Sequence, residues 1–301
     1  MRYLPFDKSG HWFRGNLHTH STRSDGAKTP AQVCAVYRRR GYDFLSLTDH
    51  FREKYDWPLV DTSGFQTKGF VTIPGAELHA PKTSLGGLWH ILAVGLPLDF
   101  ARTRKHESGP QLAKRASAAG AYVAAAHPAW YDLSDRDVLS LKTAQAIEVC
   151  NTMCSIANGK GDSIGYLDRL LSQGHRYHAI ATDDAHFKDA RSDGFQNWVM
   201  VRARQLDAGR LLDALHKGHF YSSQGPVIHS MKFTRTTLKI STSPVRLIRV
   251  NSRGTVSARA QSAQDFTTAD LDIRRLLSEP YARVTVTDKK GRRAWTNPFW
   301  W

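Results

Sequence analysis

The chain has 301 residues, enough for one large domain or two unequal ones at roughly 100–200 residues each. Hydrophobic residues make up 41% and charged residues 23%, a folded composition that excludes disordered and fibrous classes. Forty-two basic against 27 acidic side chains give a net charge of +15, which favours anionic partners. The basic runs are dispersed over Arg38 to Arg40, Arg102 to Lys105 and Lys289 to Arg293, so a nucleic-acid partner has little support. No apolar run reaches the roughly 18 residues of a membrane span, which argues against a membrane partner. The opening MRYLPFDKSG lacks a signal-type apolar stretch, and the expected address is the cytoplasm. Cys34, Cys150 and Cys154 have no C-x-x-C spacing and read as buried small apolar residues, not as a disulfide framework or thiolate site. Nothing in the sequence selects an oligomeric state.

In chain order, the first 220 residues repeat a short apolar run, a polar residue and a helical stretch. Asn16-Leu17 leads to His18, Asp43 to Leu47 to Asp49-His50, and Phe70 to Ile73 to Glu77. Ala121 to Ala126 leads to His127, Ala146-Ile147 to Glu148, and Ala179 to Ala181 to Asp183-Asp184. Such runs separated by helices predict βα units with buried parallel strands. Thr29-Pro30 starts a helix that Gly41 closes, Pro110 opens another that stops at Gly120, and residues 207–217 form a third, each with recognisable start or stop chemistry. Polar residues at the C-terminal ends of successive strands are where βα barrels place active sites.

The pattern changes after Gly225-Pro226. Short runs such as Met231 to Phe233, Leu238 to Ile240, Leu247 to Val250 and Ala282 to Thr287 predict a small antiparallel β appendage. The expected division is therefore a barrel over 1–225 and a β-rich appendage over 226–301. The aromatic end, Ala294 to Trp301, is expected to dock on the main body.

His18-Thr19-His20 places two imidazoles on one side of the chain just past a strand, because side chains two apart share a face. Asp25-Gly26 adds an oxygen donor in the same loop, and Thr48-Asp49-His50 closes the next strand. Pro74 to Glu77 supplies a carboxylate able to bridge two cations, His90 heads an apolar run, and His127-Pro128 and Asp184-Ala185-His186 end two others. Six histidines, two aspartates and one glutamate thus point to one rim. Mixed imidazole and carboxylate donors suit manganese, zinc or iron. Nine donors exceed the needs of one ion, so two or three divalent ions are implied.

In this order the motifs His18-x-His20-Ser21-x-x-Ser24-Asp25-Gly26, Thr48-Asp49-His50, Pro74-Gly75-x-Glu77, His127-Pro128 and Asp183-Asp184-Ala185-His186 resemble those of the PHP (polymerase and histidinol phosphatase) metallohydrolases. The closing stretch, from Gly218 to Tyr221 through Arg292 to Pro298, resembles more loosely the carbaryl-hydrolase-like branch. The resemblance implies an α/β fold, a distorted (β/α)7 TIM-like barrel with a trinuclear site. It implies a first metal on His18, His20, Glu77 and Asp184, a second on Glu77, His90 and His127, and a third on Asp25, His50 and His186. Glu77, Asp184 and His186 would carry the catalytic roles. Asp183 stands where the family often has serine, either as a competing ligand or as a residue that orients one.

Other candidates surround these. Arg23 reads either as a contact to an anionic substrate or as an exposed surface residue, and Asp49 is expected to orient a ligand histidine. Glu148 and Asn151 read as pocket-lining or structural. Trp130 and Tyr131 are expected to wall the leaving group, with at least one of them packed in the core.

The expected reaction is metal-activated hydroxide attack on a phosphate monoester or nucleotide-type diester, with a small phosphorylated substrate as partner. A carbamate or carboxyl-ester hydrolase is the alternative. A non-catalytic metal-binding module is the third reading, opposed by the filling of all nine motif positions.

Overall fold

The computed structural model describes residues 5–188 and 193–300. Trp301 and the first four residues of the N-terminal stretch lie outside the described residues. The elements run β1 (His11–Asn16), α1 (Pro30–Arg39), β2 (Phe44–Leu47), β3 (His50–Phe51), β4 (Val71–Leu78) and β5 (Ile91–Val94). Next come α2 (Gly109–Ala118), β6 (Tyr122–Ala125), α3 (Asp135–Ser140), β7 (Ala146–Asn151), α4 (Thr152–Asn158), α5 (Ile164–Ser172) and β8 (His178–Thr182). Then follow β9 (Trp198–Ala203), α6 (Ala208–His216), β10 (Phe220–Ser223), β11 (Ile228–Phe233), β12 (Thr237–Asn251), β13 (Ser257–Asp272), β14 (Tyr281–Thr287), β15 (Arg293–Thr296) and β16 (Phe299–Trp300).

The fold is mixed α/β around one large sheet, and it departs from a regular TIM-like barrel. Strands β1, β2 and β4 are parallel neighbours, and so are β6, β7 and β8. Strand β5 runs antiparallel to both β4 and β6. The expected βα rhythm also breaks among the described residues, since no α-helix connects β2 to β4 or β4 to β5. The sheet curves until the segment after its β8 edge meets the segment after β1 at one parallel bridge, Thr19 to Ala185, with Asp184 N donating to His18 O and His20 N to Ala185 O.

The helices form where local chemistry dictates. Thr29 caps α1 by accepting from Gln32 N while the Gln32 side chain returns to the Thr29 backbone, a reciprocal cap that satisfies two orphan donors. Ser108 with Gln111 does the same for α2, and Asp207 caps α6.

Beyond β10 the ladder continues as β15, β14, β12 and β11, with β13 on the far side of β12. The C-terminal β region therefore extends the same hydrogen-bonded sheet. Leu238 to Ile240 and Leu247 to Val250 belong to one 15-residue strand, not two. Its register shifts between Ser241 and Val245, around Pro244, as expected for a proline confined to a bulge. Buried Ile228, Leu238, Ile248, Val250, Val284 and Val286 form the core of this region.

The aromatic end docks as expected. Trp295 is buried against Cys150 and Ala181. Asn297 accepts from Ala179 N and donates to Gly218 O and Phe220 O. All three cysteines are buried and free. Among the described residues no helix is long and apolar enough to cross a membrane.

Candidate metal centre

The rim where β1, β2, β4, β6, β7 and β8 end carries the expected donors. His18 and His20 follow β1, fully buried with ring centroids 5.2 Å apart. Gly26 packs tightly beneath them, since a Cβ there would lie 2.7 Å from His20 O. Glu77 lies within β4, not after it. His90 stands at the start of β5, and the antiparallel course of that strand brings its N-terminal end to the rim of the others.

Distances tie the donors together around Glu77 and Asp184. Glu77 Oε1 lies 2.7 Å from His90 Nδ1 and 3.2 Å from His127 Nε2. Glu77 Oε2 lies 2.5 Å from His50 Nδ1 and 3.8 Å from both His18 Nε2 and His20 Nε2. Asp184 Oδ1 is 3.3 Å from His18 Nε2 and 2.8 Å from His20 Nε2. Asp25 Oδ1 is 3.4 Å from His50 Nε2 and 3.2 Å from His186 Nε2. All nine expected residues thus fall in donor groups whose ligand atoms lie within 4.8 Å of one another.

The chemistry of these donors fits divalent cations. His18 Nε2, His20 Nε2, Glu77 Oε2 and Asp184 Oδ1 are buried and make no aligned hydrogen bond, although they face one another. Unpaired buried polar atoms are costly, and a shared cation relieves that cost. Burial opposes the charge on Glu77, but His50, His90 and His79 override it and hold its carboxyl well below the usual range. Burial also opposes the charge on Asp184, and His18 and His20 hold its carboxyl low. Burial, reinforced by His186 and His50, keeps His20 neutral. Metal ligation requires ionised carboxylates and neutral imidazoles, and His20 meets that state. Burial opposes the charge on His18 and His127 as well, but Asp184 and Glu148 raise the pKa of the first and Glu77 that of the second, so a cation would displace protons there. His127 (φ 27°) and Asp184 (φ 54°) adopt left-handed backbone conformations, which non-glycine residues sustain mainly where surrounding structure enforces them.

His79 escaped the sequence reading. Its Nε2 lies 2.9 Å from His50 Nδ1 and 3.4 Å from Glu77 Oε2, and it joins both in a donor group. Burial lowers its pKa to about 3. The available signal was Glu77-x-His79 on a strand, a spacing that puts both side chains on one face.

Several supporting residues differ from expectation. Asp49 touches no histidine; it accepts from Ser21 N, Ser21 Oγ and Ser24 Oγ, and so shapes the loop carrying His20 and Asp25. Glu148 orients His18 instead. It bonds His18 Nδ1 at 3.0 Å, accepts from His127 N and Asn151 Nδ2, and also takes the Thr182 hydroxyl. This leaves His18 Nε2 free to face the cluster. Glu148 and Asn151 are fully buried behind the site and do not line the cavity.

Asp183 joins no donor group. It accepts from Asn16 Nδ2, Tyr37 OH, Thr152 Oγ1 and the backbone of residues 195–197. The side chain is a structural hub because its neighbour Asp184 turns the opposite way, into the cluster. Arg23 lies away from the centre, in a groove with Pro30 and Phe65.

Above the donors opens a cavity of about 510 Å³ with His50, Glu77, His90, His127, Asp184 and His186 in its wall. Trp130 lines it, its ring 5.3 Å from His127. Tyr131 packs against the core instead. Asp25, Arg52, Lys188 and Asp193 add charge to its surface, and Met153, Ile156 and Ala157 add an apolar stretch.

No protein-family model and no curated protein matches the sequence. Among solved structures, the chain superposes on a two-domain protein from Bacteroides vulgatus containing a predicted PHP-like metal-dependent phosphoesterase, with a TM-score of 0.56. The alignment covers 96% of this chain and 95% of that one at 15% identity. The two share a fold. The shared fold extends through the C-terminal β region, as the coverage of both chains requires. An amidohydrolase from Chromobacterium violaceum overlaps 57% of the chain and 87% of its own length, with a TM-score of 0.44 and 17% identity.

Proposed function

We propose that the protein is a metal-dependent hydrolase of phosphoesters, with two or three divalent transition-metal ions, manganese, zinc or iron, held at the rim. The observation that carries the reading is the convergence of buried, unpaired imidazole and carboxylate atoms on Glu77 and Asp184 at the floor of an open cavity. Divalent cations there would supply Lewis acidity toward the scissile group and toward the attacking water.

The chain's own residues do the rest. Glu77 offers one oxygen to the His90 and His127 side and the other to the His18, His20 and His50 side, so it would be the residue shared between ions. Asp184 draws His18 and His20 together. Asp25 with His50 and His186 forms a third group at the more open edge. Burial opposes the charge on His186, yet Asp25 and Asp184 raise its pKa to about 9, so without a cation this ring holds a proton at neutral pH. Glu148, Asn151 and Asp49 position these groups through the hydrogen bonds described above.

A carbamate or carboxyl-ester hydrolase of the carbaryl-hydrolase-like branch is the second reading. The aromatic Trp130 wall beside His127 favours it. Chelator-stripped protein reconstituted separately with manganese, zinc and iron would be assayed on p-nitrophenyl phosphate, bis-p-nitrophenyl phosphate and a phenyl N-methylcarbamate. Metal-dependent release from either phosphate ester without carbamate cleavage supports the first reading. Carbamate cleavage alone replaces it with the second.

A further inference from the structure

The cavity above the donors has two unlike sides. Arg52 follows β3, and its backbone is fixed by Arg52 N donating to His50 O and by Tyr55 N and Trp57 N donating to Arg52 O. Arg52 lines the cavity, and among the described residues its side chain makes no hydrogen bond or ion pair. The other cavity cation, Lys188, is already committed to Asp25 Oδ2 at 2.8 Å. An unpaired arginine beside cation-binding donors is a ready partner for an anionic oxygen, because its planar fork matches phosphate geometry.

The opposite side is apolar. Met153, Ile156 and Ala157 of α4 line the cavity, and their spacing places them on one helix face. The Asn151 side chain caps α4 by accepting from Cys154 N while donating to Glu148 Oε2 and Asp184 Oδ2. Met153 N donates to Asp183 O. The apolar face is therefore tied to the donor cluster by its own cap. Trp130 continues this surface from the loop after β6. Around the sheet, β4, β5 and β6 separate β2 from β7 one way, and β8 and β1 the other, so Arg52 and α4 face each other across the floor.

We propose that Arg52 and the α4 face with Trp130 form a bipartite substrate subsite. It selects small phosphoesters whose charged oxygen meets Arg52 and whose leaving group is apolar, such as an aryl or branched alkyl alcohol. This inference rests on the hydrolase reading for the reaction, but the subsite itself is readable by binding alone. The cavity volume suits a small ligand of this kind.

The test is calorimetric binding of phenylphosphonate and methylphosphonate, which share a head group and cannot be hydrolysed, to the metal-reconstituted full chain. Phenylphosphonate should bind about tenfold tighter, the scale of a few buried apolar carbons. Arg52→Gln should weaken both ligands by about tenfold, the scale of a charge-assisted hydrogen bond. Ile156→Gln should shrink the phenyl preference and leave methylphosphonate unchanged, and Ala157→Gln provides the same readout from a more exposed position on the face.

Equal affinity of the two phosphonates, or a preference untouched by both α4 variants, overturns the proposal, as does failure of either ligand to bind. The expected preferences without turnover of phenyl phosphate would leave the subsite standing and remove the phosphate-monoester hydrolase reading. Turnover of phenyl phosphate without any preference would do the reverse.

Discussion

Glu77 and Glu148 are both fully buried carboxylates on the same side of the sheet, yet they do different work. Glu77 turns both oxygens to imidazoles that face the cavity, whereas Glu148 spends its oxygens on His18 Nδ1, His127 N, Asn151 and Thr182. Glu77→Gln should therefore abolish most metal binding and cut activity by orders of magnitude while the fold persists, as checked by metal analysis and circular dichroism. Glu148→Gln should lower metal affinity by about 10–100-fold, because the His18 ring loses the acceptor that sets its tautomer. A competitive chelator titration reads that change directly. His79 went unread because its two-residue spacing from Glu77 carries meaning only once Val71–Leu78 is known to be a strand. Asp49 and Asp183 were visible as polar residues beside candidate donors, but the direction of each side chain depends on partners 12 or more residues distant.

At the scale of elements, the strongest local signals are end signals. The Thr29-Pro30 start of α1 rests on chemistry confined to a few residues, and the structure realises it as a reciprocal cap. Thr29→Ala should lower stability by about 1 kcal/mol and leave metal content intact, measured by urea denaturation and metal analysis. Strand direction was not legible. The run Ile91 to Val94 reads like any buried strand, and only its pairing with β4 and β6 shows that it runs backwards. That reversal is why a histidine before a strand shares a rim with residues after strands. Strand β13 was invisible for another reason: its 16 residues are mostly exposed, so no apolar alternation marks them.

For the whole molecule, the C-terminal β region and the barrel are coupled through side chains as well as the ladder. Asn297 joins β8 to residues 218–220, and Ser222 Oγ bridges Ala179 O and Ala181 N. Asn297→Ala leaves one buried donor and two acceptors unsatisfied and should cost about 3 kcal/mol, seen as a fall in the denaturation midpoint.

His178 opens β8 and pairs with Tyr122 OH at 3.0 Å. Burial, with His216 and His219 nearby, lowers its pKa from 6.5 to about 4. A depressed histidine pKa means the unfolded chain takes the proton first. Its stabilisation is complete above about pH 6.5 and is lost as pH falls toward 4. His178→Asn should show a smaller fall in thermal midpoint between pH 7 and pH 5 than the parent protein.

The nine motif residues that gather at the rim were readable from the sequence alone, though His79 was not, because motif residues sit beside short apolar runs whose length and flanks mark strands. The helix ends were readable for the same reason, since capping is local. Only the tertiary structure decided which way β5 runs, which carboxylate faces the cavity and which stands behind it, and how the β region past Pro226 merges with the main sheet. Those outcomes depend on pairings between residues far apart in the chain. Such pairings are set by how strands register and pack, a property that no single segment carries.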